Sequence, residues 1–133
     1  ILPINDTTTT HTWTDSYPYS CISIFALHPQ YADLNSLPAL KDKTQKARFE
    51  KERRQLNALP QIDYERVNEL KNEYLRLIYE QEGKTTISSK EFKAFFAENE
   101  SWLVPYAQYS MLRDKYGTAE FAQWPDHNQW DES

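Results

Sequence analysis

Between Asp63 and Gly83 the apolar residues Tyr64, Val67, Leu70, Tyr74, Leu75, Leu77 and Ile78 recur at spacings of three and four. That is the period of one helix face, and its stripe is wide enough for a core contact. Asp63 is a good N-cap and Gly83 supplies a stop, so the pattern predicts a helix between them. Ahead of it, Ser36 to Ala58 is dominated by helix formers, with Pro38 near the start and Pro60 ending the segment. Its apolar residues Ala47, Phe49, Leu56 and Leu59 make only a thin stripe. Downstream, Ser88 with Glu91 reads as a capping box opening a short helix that carries Phe92, Phe95 and Phe96 on one face and ends near Asn99. A further helix is expected to start between Ser101 and Pro105, with Trp102 and Leu103 at its entrance. It runs through Tyr106, Tyr109 and Leu112 to Gly117. Phe121 and Trp124 close a last turn before Pro125, and Asp126 to Ser133 reads as a frayed polar tail.

The beginning of the chain has a different pattern. Ile1 to Ile4 reads as the last residues of a strand, and the chain as a fragment of a longer protein. Asn5 to Thr14, NDTTTTHTWT, has no helical period and is expected to be an extended or mobile loop with Trp13 as its large anchor. In Tyr17-Pro18-Tyr19 the proline fixes its own φ and keeps Tyr17 out of the α region, which makes a stiff aromatic corner. The run Cys21, Ile22, Ile24, Phe25, Ala26, Leu27, closed by His28-Pro29, suits a buried turn of helix or a brief strand that anchors the corner to a core. Trp13, Tyr17 and Tyr19 are open to two readings: half-buried packing residues with satisfied polar tips, or an aromatic platform for a ligand. The fold class expected is all-α, a mainly helical fragment with an irregular N-terminal loop.

Composition narrows the choice of partners. The chain has 133 residues, a net charge of -5 and 14% aromatic residues, with a mean hydropathy of -0.83. That is one domain's worth, without the basic excess that nucleic acid or an anionic membrane surface calls for. The basic positions Lys41, Lys43, Lys46, Arg48, Lys51, Arg53 and Arg54 are interleaved with Asp42, Glu50 and Glu52, which favours helical ion pairing on a solvated face. The single Cys21 is expected to be a buried thiol in a reducing, cytoplasmic setting, with neither signal peptide nor membrane span. His11, His28 and His127 are isolated, and one cysteine completes no zinc site, so neither a metal nor a cofactor is expected.

Taken in order, LPIND, WTDSYPYSCISIFALHP, IDYERV, FFAENESWLVPYAQYSMLRDKYG and FAQWP resemble the amylomaltase and disproportionating-enzyme family, the 4-α-glucanotransferases, from Leu2 to Pro125. The resemblance implies a (β/α)8 barrel parent with its active site built by loops at the C-terminal face. Residues 1–35 would be the end of the first barrel strand and its substrate-side loop, 36–125 an inserted helical subdomain, and 126–133 a polar tail. Carried over, Tyr19 matches the tyrosine of the family's serine-proline-tyrosine corner, which lines the glucan cleft, and either Ser16 or Tyr17 fills the serine position. The bacterial pattern has a Gly-Tyr-Gly element before the corner where this chain has Thr12-Trp13-Thr14-Asp15. The NDT start and the WTDSYPYS run look closer to the plant-type cytosolic branch.

The implied chemistry is retaining transglycosylation between α-1,4-glucans, with maltose as a donor. The nucleophile and the acid/base would sit in later strands, so no catalytic residue is assigned here. Trp13 and Tyr19 would stack on sugar faces while Asp15 and Ser16 bond the hydroxyl rim. The expected partners are α-1,4-glucans, maltose and the rest of the parent barrel, with a fragment dimer if apolar faces stay uncovered. Two rivals accompany this assignment. One is a non-catalytic helical protein-interaction module, and the other is a hydrolase on the same barrel.

Overall fold

A computed structural model describes residues 2–129. Ile1 of the expected strand end and residues 130–133 of the expected tail lie outside the described residues. Three α-helices dominate: α1 (Lys43–Asn57), α2 (Tyr64–Ser88) and α3 (Lys90–Tyr116). Short 3-10 turns stand at Trp13–Ser16, Pro29–Tyr31, Leu34–Ser36 and Phe121–Gln123. The all-α expectation holds, since among the described residues β pairing is limited to an isolated antiparallel bridge between Asn5 and Leu27.

Helix α1 begins later than the composition suggests. Leu37, ahead of Pro38, is extended at φ -92° and ψ 158°, as the residue before a proline prefers. Leu34–Ser36 therefore forms a separate turn capped by Asp33, and α1 starts only where the Asp42 carboxylate accepts from the N–H groups of Thr44 and Gln45. Its thin stripe delivers Phe49 to a small core with Leu40, Leu70 and Ile78, flanked by Leu56, Tyr74 and Leu77. Phe49 meets Tyr74 edge-on at 5.1 Å. The expected pairing covers only part of the basic face: Lys41 pairs with Glu82, Arg48 with Glu73 at 2.6 Å and Glu52 at 3.2 Å, and Arg53 with Glu50, while Lys43, Lys46, Lys51 and Arg54 have no ion pair among the described residues.

Asp63 caps α2 as expected, but Gly83 does not end it. The helix continues to Ser88 with Gly83 buried, and a Cβ there would come within 2.9 Å of the Tyr79 ring. Glycine here makes room for an aromatic ring one turn earlier; it does not adopt the left-handed backbone of a stop. The cap of α3 is Ser89 rather than Ser88. Ser89 Oγ accepts from the Phe92 N–H, while the Ser88 hydroxyl bonds back to the carbonyls of Lys84 and Thr85.

The expected break near Asn99 is also absent, and α3 runs through it with Pro105 inside the helix. Asn99 spends its amide on the Phe95 carbonyl and accepts from the Trp102 indole N–H, so its side chain is satisfied along the helix instead of ending it. Gly117, at φ 71°, does end α3. Beyond it, Trp124 is buried among Tyr109, Tyr116 and Phe121, and its indole N–H donates to the Thr118 carbonyl.

Near the chain start, His28 N–H donates to the Ile4 carbonyl and Asp6 N–H to that of Ala26, which pins the bent apolar run to the chain start around the isolated bridge at Leu27. It is not a core anchor. Only Ala26 of the run is buried, Ile24, Phe25 and Leu27 are exposed, and Cys21 is a surface thiol rather than a buried one. The run is bent, with the Ser23 hydroxyl accepting from the Phe25 and Ala26 N–H groups, and of its outward side chains Phe25 stacks on Trp102 at 5.5 Å. Lys71 of α2 fastens the Pro29–Tyr31 turn by donating to the carbonyls of Gln30 and Ala32. Among the described residues no helix is long and apolar enough to cross a membrane.

Candidate functional site

The polar loop from Asp6 to Ser16 is folded around two carboxylates. Asp15, only 4% exposed, accepts from the Thr9 hydroxyl at 2.9 Å, from the Thr10 N–H and hydroxyl, and from the His11 N–H at 2.7 Å. Its carbonyl takes the Thr7 hydroxyl. The threonine run is therefore a compact turn rather than an open loop, and His11 adopts φ 58° at its tip. Burial works to raise the Asp15 pKa, but the hydrogen bonds from Thr10, Thr9 and His11 outweigh it and hold the carboxyl below its ordinary range.

Asp6, 1% exposed, accepts from the Thr8 N–H at 2.9 Å through one oxygen and from the Tyr106 hydroxyl at 2.6 Å through the other. Burial and then this hydrogen bond push the Tyr106 phenol well above its ordinary pKa. Helix α3 supplies two further links. Arg113 donates to the Thr8 carbonyl at 2.7 Å, and Asp114 accepts both from Arg113 Nε and from the His11 ring at 2.8 Å. Burial would raise the Asp114 pKa, but its bonds to Arg113 and His11 bring it below the ordinary value. His28 is also buried here. Its Nδ1 accepts from the Gln30 N–H, and burial lowers its pKa although the charges of Asp6 and Asp15 oppose that.

The outer side of the loop is aromatic. Trp13 and Tyr17 meet edge to face, with ring centroids 5.8 Å apart and planes at 60°. They are 56% and 58% exposed. Ser16 Oγ donates to the Trp13 carbonyl at 2.7 Å, and the Trp13 N–H donates to Glu65 in the first turn of α2, which fixes the turn that carries the pair. Tyr19 extends into solvent at 74% exposure, and among the described residues no aromatic pair includes it. Of the five residues singled out in the sequence, Trp13, Ser16 and Tyr17 thus share one turn, Asp15 lies beneath it, and Tyr19 stands apart. Sequence reasoning missed the roles of Asp6, Tyr106, Arg113 and Asp114. Tyr106 has the helical spacing of a core residue, and its partner Asp6 lies a hundred residues away. Among the described residues no group of three or more His, Cys, Asp or Glu side chains is placed to hold a metal ion.

Fold and site together define a helical unit that holds a polar loop by buried carboxylates and turns its aromatic rings outward. The family model described as 4-alpha-glucanotransferase matches residues 1–133, and the chain belongs to that family. It is 38% identical over 130 residues to 4-alpha-glucanotransferase DPE2 of Oryza sativa subsp. japonica, covering 98% of this chain and 14% of that protein. It is 32% identical over 126 residues to the 4-alpha-glucanotransferase of Chlamydia caviae and 29% identical to that of Chlamydia pneumoniae, each match covering 94% of this chain and 23% of the relative. The chain thus spans less than a quarter of the length of these relatives. No solved structure matches it.

Proposed function

We propose that this chain is the glucan-binding part of a 4-α-glucanotransferase that moves glucosyl or maltooligosaccharide units between α-1,4-glucans, maltose included, by a retaining mechanism. The observation that carries this is the exposed Trp13 and Tyr17 pair on a turn fixed from beneath by Asp15. A glucose ring offers flat C–H faces to such rings and hydroxyls at its edge. Trp13, Tyr17 and Tyr19 take the faces, Ser16 the edge, and Asp15 acts by holding the loop in shape.

The catalytic pair belongs to other parts of the protein. A retaining mechanism needs two carboxyl groups about 5–5.5 Å apart that flank an open cleft, whereas Asp6 and Asp15 are buried and committed to the loop. Residues 1–35 serve as strand end and substrate-side loop, 36–125 as a helical subdomain, and 126–133 as a tail, set on a (β/α)8 barrel. The exposed Ile24, Phe25 and Leu27 suit contact with that barrel, or with a second copy of the fragment in its absence. The setting is cytoplasmic, where an exposed Cys21 thiol stays reduced.

Incubating the full-length protein with a single maltooligosaccharide tests the assignment. Redistribution into shorter and longer chains is expected, and the isolated 133-residue chain should give none. Release of glucose without longer products would make the protein a hydrolase and overturn the assignment.

A further inference from the structure

The geometry points to Tyr106 and Arg113 as positioning residues that set where the rings of Trp13 and Tyr17 stand, an inference that rests on the glucan-binding function proposed above. These two residues are seven apart on α3, so they lie on one helix face about 10 Å apart. Each reaches a different point of the loop: Tyr106 Oη donates to Asp6 Oδ2 at 2.6 Å, and Arg113 Nη1 donates to the Thr8 carbonyl at 2.7 Å. The anchor points are themselves joined, because the other oxygen of Asp6 accepts the Thr8 N–H at 2.9 Å.

These contacts are enclosed. Asp6 is 1% exposed, Arg113 5% and Thr8 8%. Tyr106 is half-buried and gives its hydroxyl to Asp6; the buried Asp6, Thr8 and Arg113 are out of reach of a sugar on the outer rings and act through the loop. From Thr8 the chain reaches Trp13 in five residues, and within that span Asp15 collects Thr9, Thr10 and His11 into one turn. A segment so tied moves as a unit, so its placement on α3 is passed to the aromatic pair. Without a strut, the loop spreads over several placements. Apparent affinity then falls by the fraction of molecules that keep the competent one, about tenfold for the loss of one charge-assisted hydrogen bond. The step lost is binding, so turnover at saturation is retained.

The test is a double-mutant cycle in the full-length protein, with KM and kcat measured for a maltooligosaccharide in the wild type, Trp13→Ala, Tyr106→Phe and the double variant. Tyr106→Phe is expected to raise KM about tenfold with kcat held to within about twofold. In the double variant KM should rise over Trp13→Ala alone by clearly less than about tenfold, because only the Tyr17 ring is left to be placed. Independent, multiplying effects on KM would overturn the inference while leaving glucan binding by Trp13 standing, as would a fall in kcat at unchanged KM. A wild-type KM in Trp13→Ala would instead remove the glucan-binding role of the loop, and the inference with it. Should Tyr106→Phe fail to fold, Arg113→Lys runs the same cycle, since it keeps the cation but shortens its reach to the Thr8 carbonyl.

Discussion

Replacing Asp15 by Asn leaves the size of the side chain nearly unchanged and alters only what its two oxygens can do. In the folded chain both are acceptors, one facing the Thr9 hydroxyl at 2.9 Å and the other the His11 N–H at 2.7 Å, with the Thr10 N–H shared at 3.2 Å. An amide offers one acceptor and turns two N–H groups toward donors. One contact is lost and the rest change from charged to neutral, each change removing about 1 kcal/mol. The expected destabilisation is about 2–3 kcal/mol, or roughly 6–15 °C in Tm for a chain of this length. Urea unfolding of the chain followed by circular dichroism reads it as a lower midpoint at unchanged slope.

The pH dependence arises from the depressed carboxyl. Because the folded pKa lies below the ordinary 3.8, the Asp15 contribution is complete above that value and is lost as pH falls through the lower folded one. The wild type should therefore lose stability across that acid range, and Asp15→Asn should lack that part of the loss. A stability within about 0.5 kcal/mol of wild type would refute the idea that this carboxylate holds the loop.

Three further outcomes are expected. Gly117→Ala should cost about 1 kcal/mol in the same urea assay, because the backbone at φ 71° strains a Cβ although nothing lies within 4 Å to clash with it. Asp42→Ala should cost about 1 kcal/mol and reduce helicity, since it uncaps the Thr44 and Gln45 N–H groups. For His28, burial lowers the folded pKa beneath the ordinary 6.5. Its contribution is complete above 6.5 and declines as pH falls from there to the folded value, so a stability profile of His28→Asn should lack that decline.

Local chemistry in the sequence was legible where a single residue decides the backbone. Asp63 opens a helix because its side chain reaches the first free N–H groups, and Gly117 closes one because the chain there turns left-handed. The same rules misled at Gly83, Ser88 and Asn99. There the ring of Tyr79, a back-bonded hydroxyl and a side chain satisfied along the helix remove the reason to stop. The apolar run after Cys21 reads as core by composition, yet it is a bent segment that leaves Ile24, Phe25 and Leu27 exposed. In the candidate site the aromatic corner and Asp15 are visible as a cluster. The Asp6 to Tyr106 and Thr8 to Arg113 contacts are not, because a pairing across a hundred residues has no local period to betray it.

The central claim is that the turn bearing Trp13 and Tyr17 binds α-1,4-glucan. Calorimetric titration of the full-length protein with a maltooligosaccharide analogue that cannot be cleaved measures this directly, comparing wild type with the Trp13→Ala, Tyr17→Ala double variant. Loss of the two rings should weaken Kd at least about tenfold, the equivalent of about 1.4 kcal/mol. An unchanged Kd would contradict the claim and leave the exposed pair as surface packing.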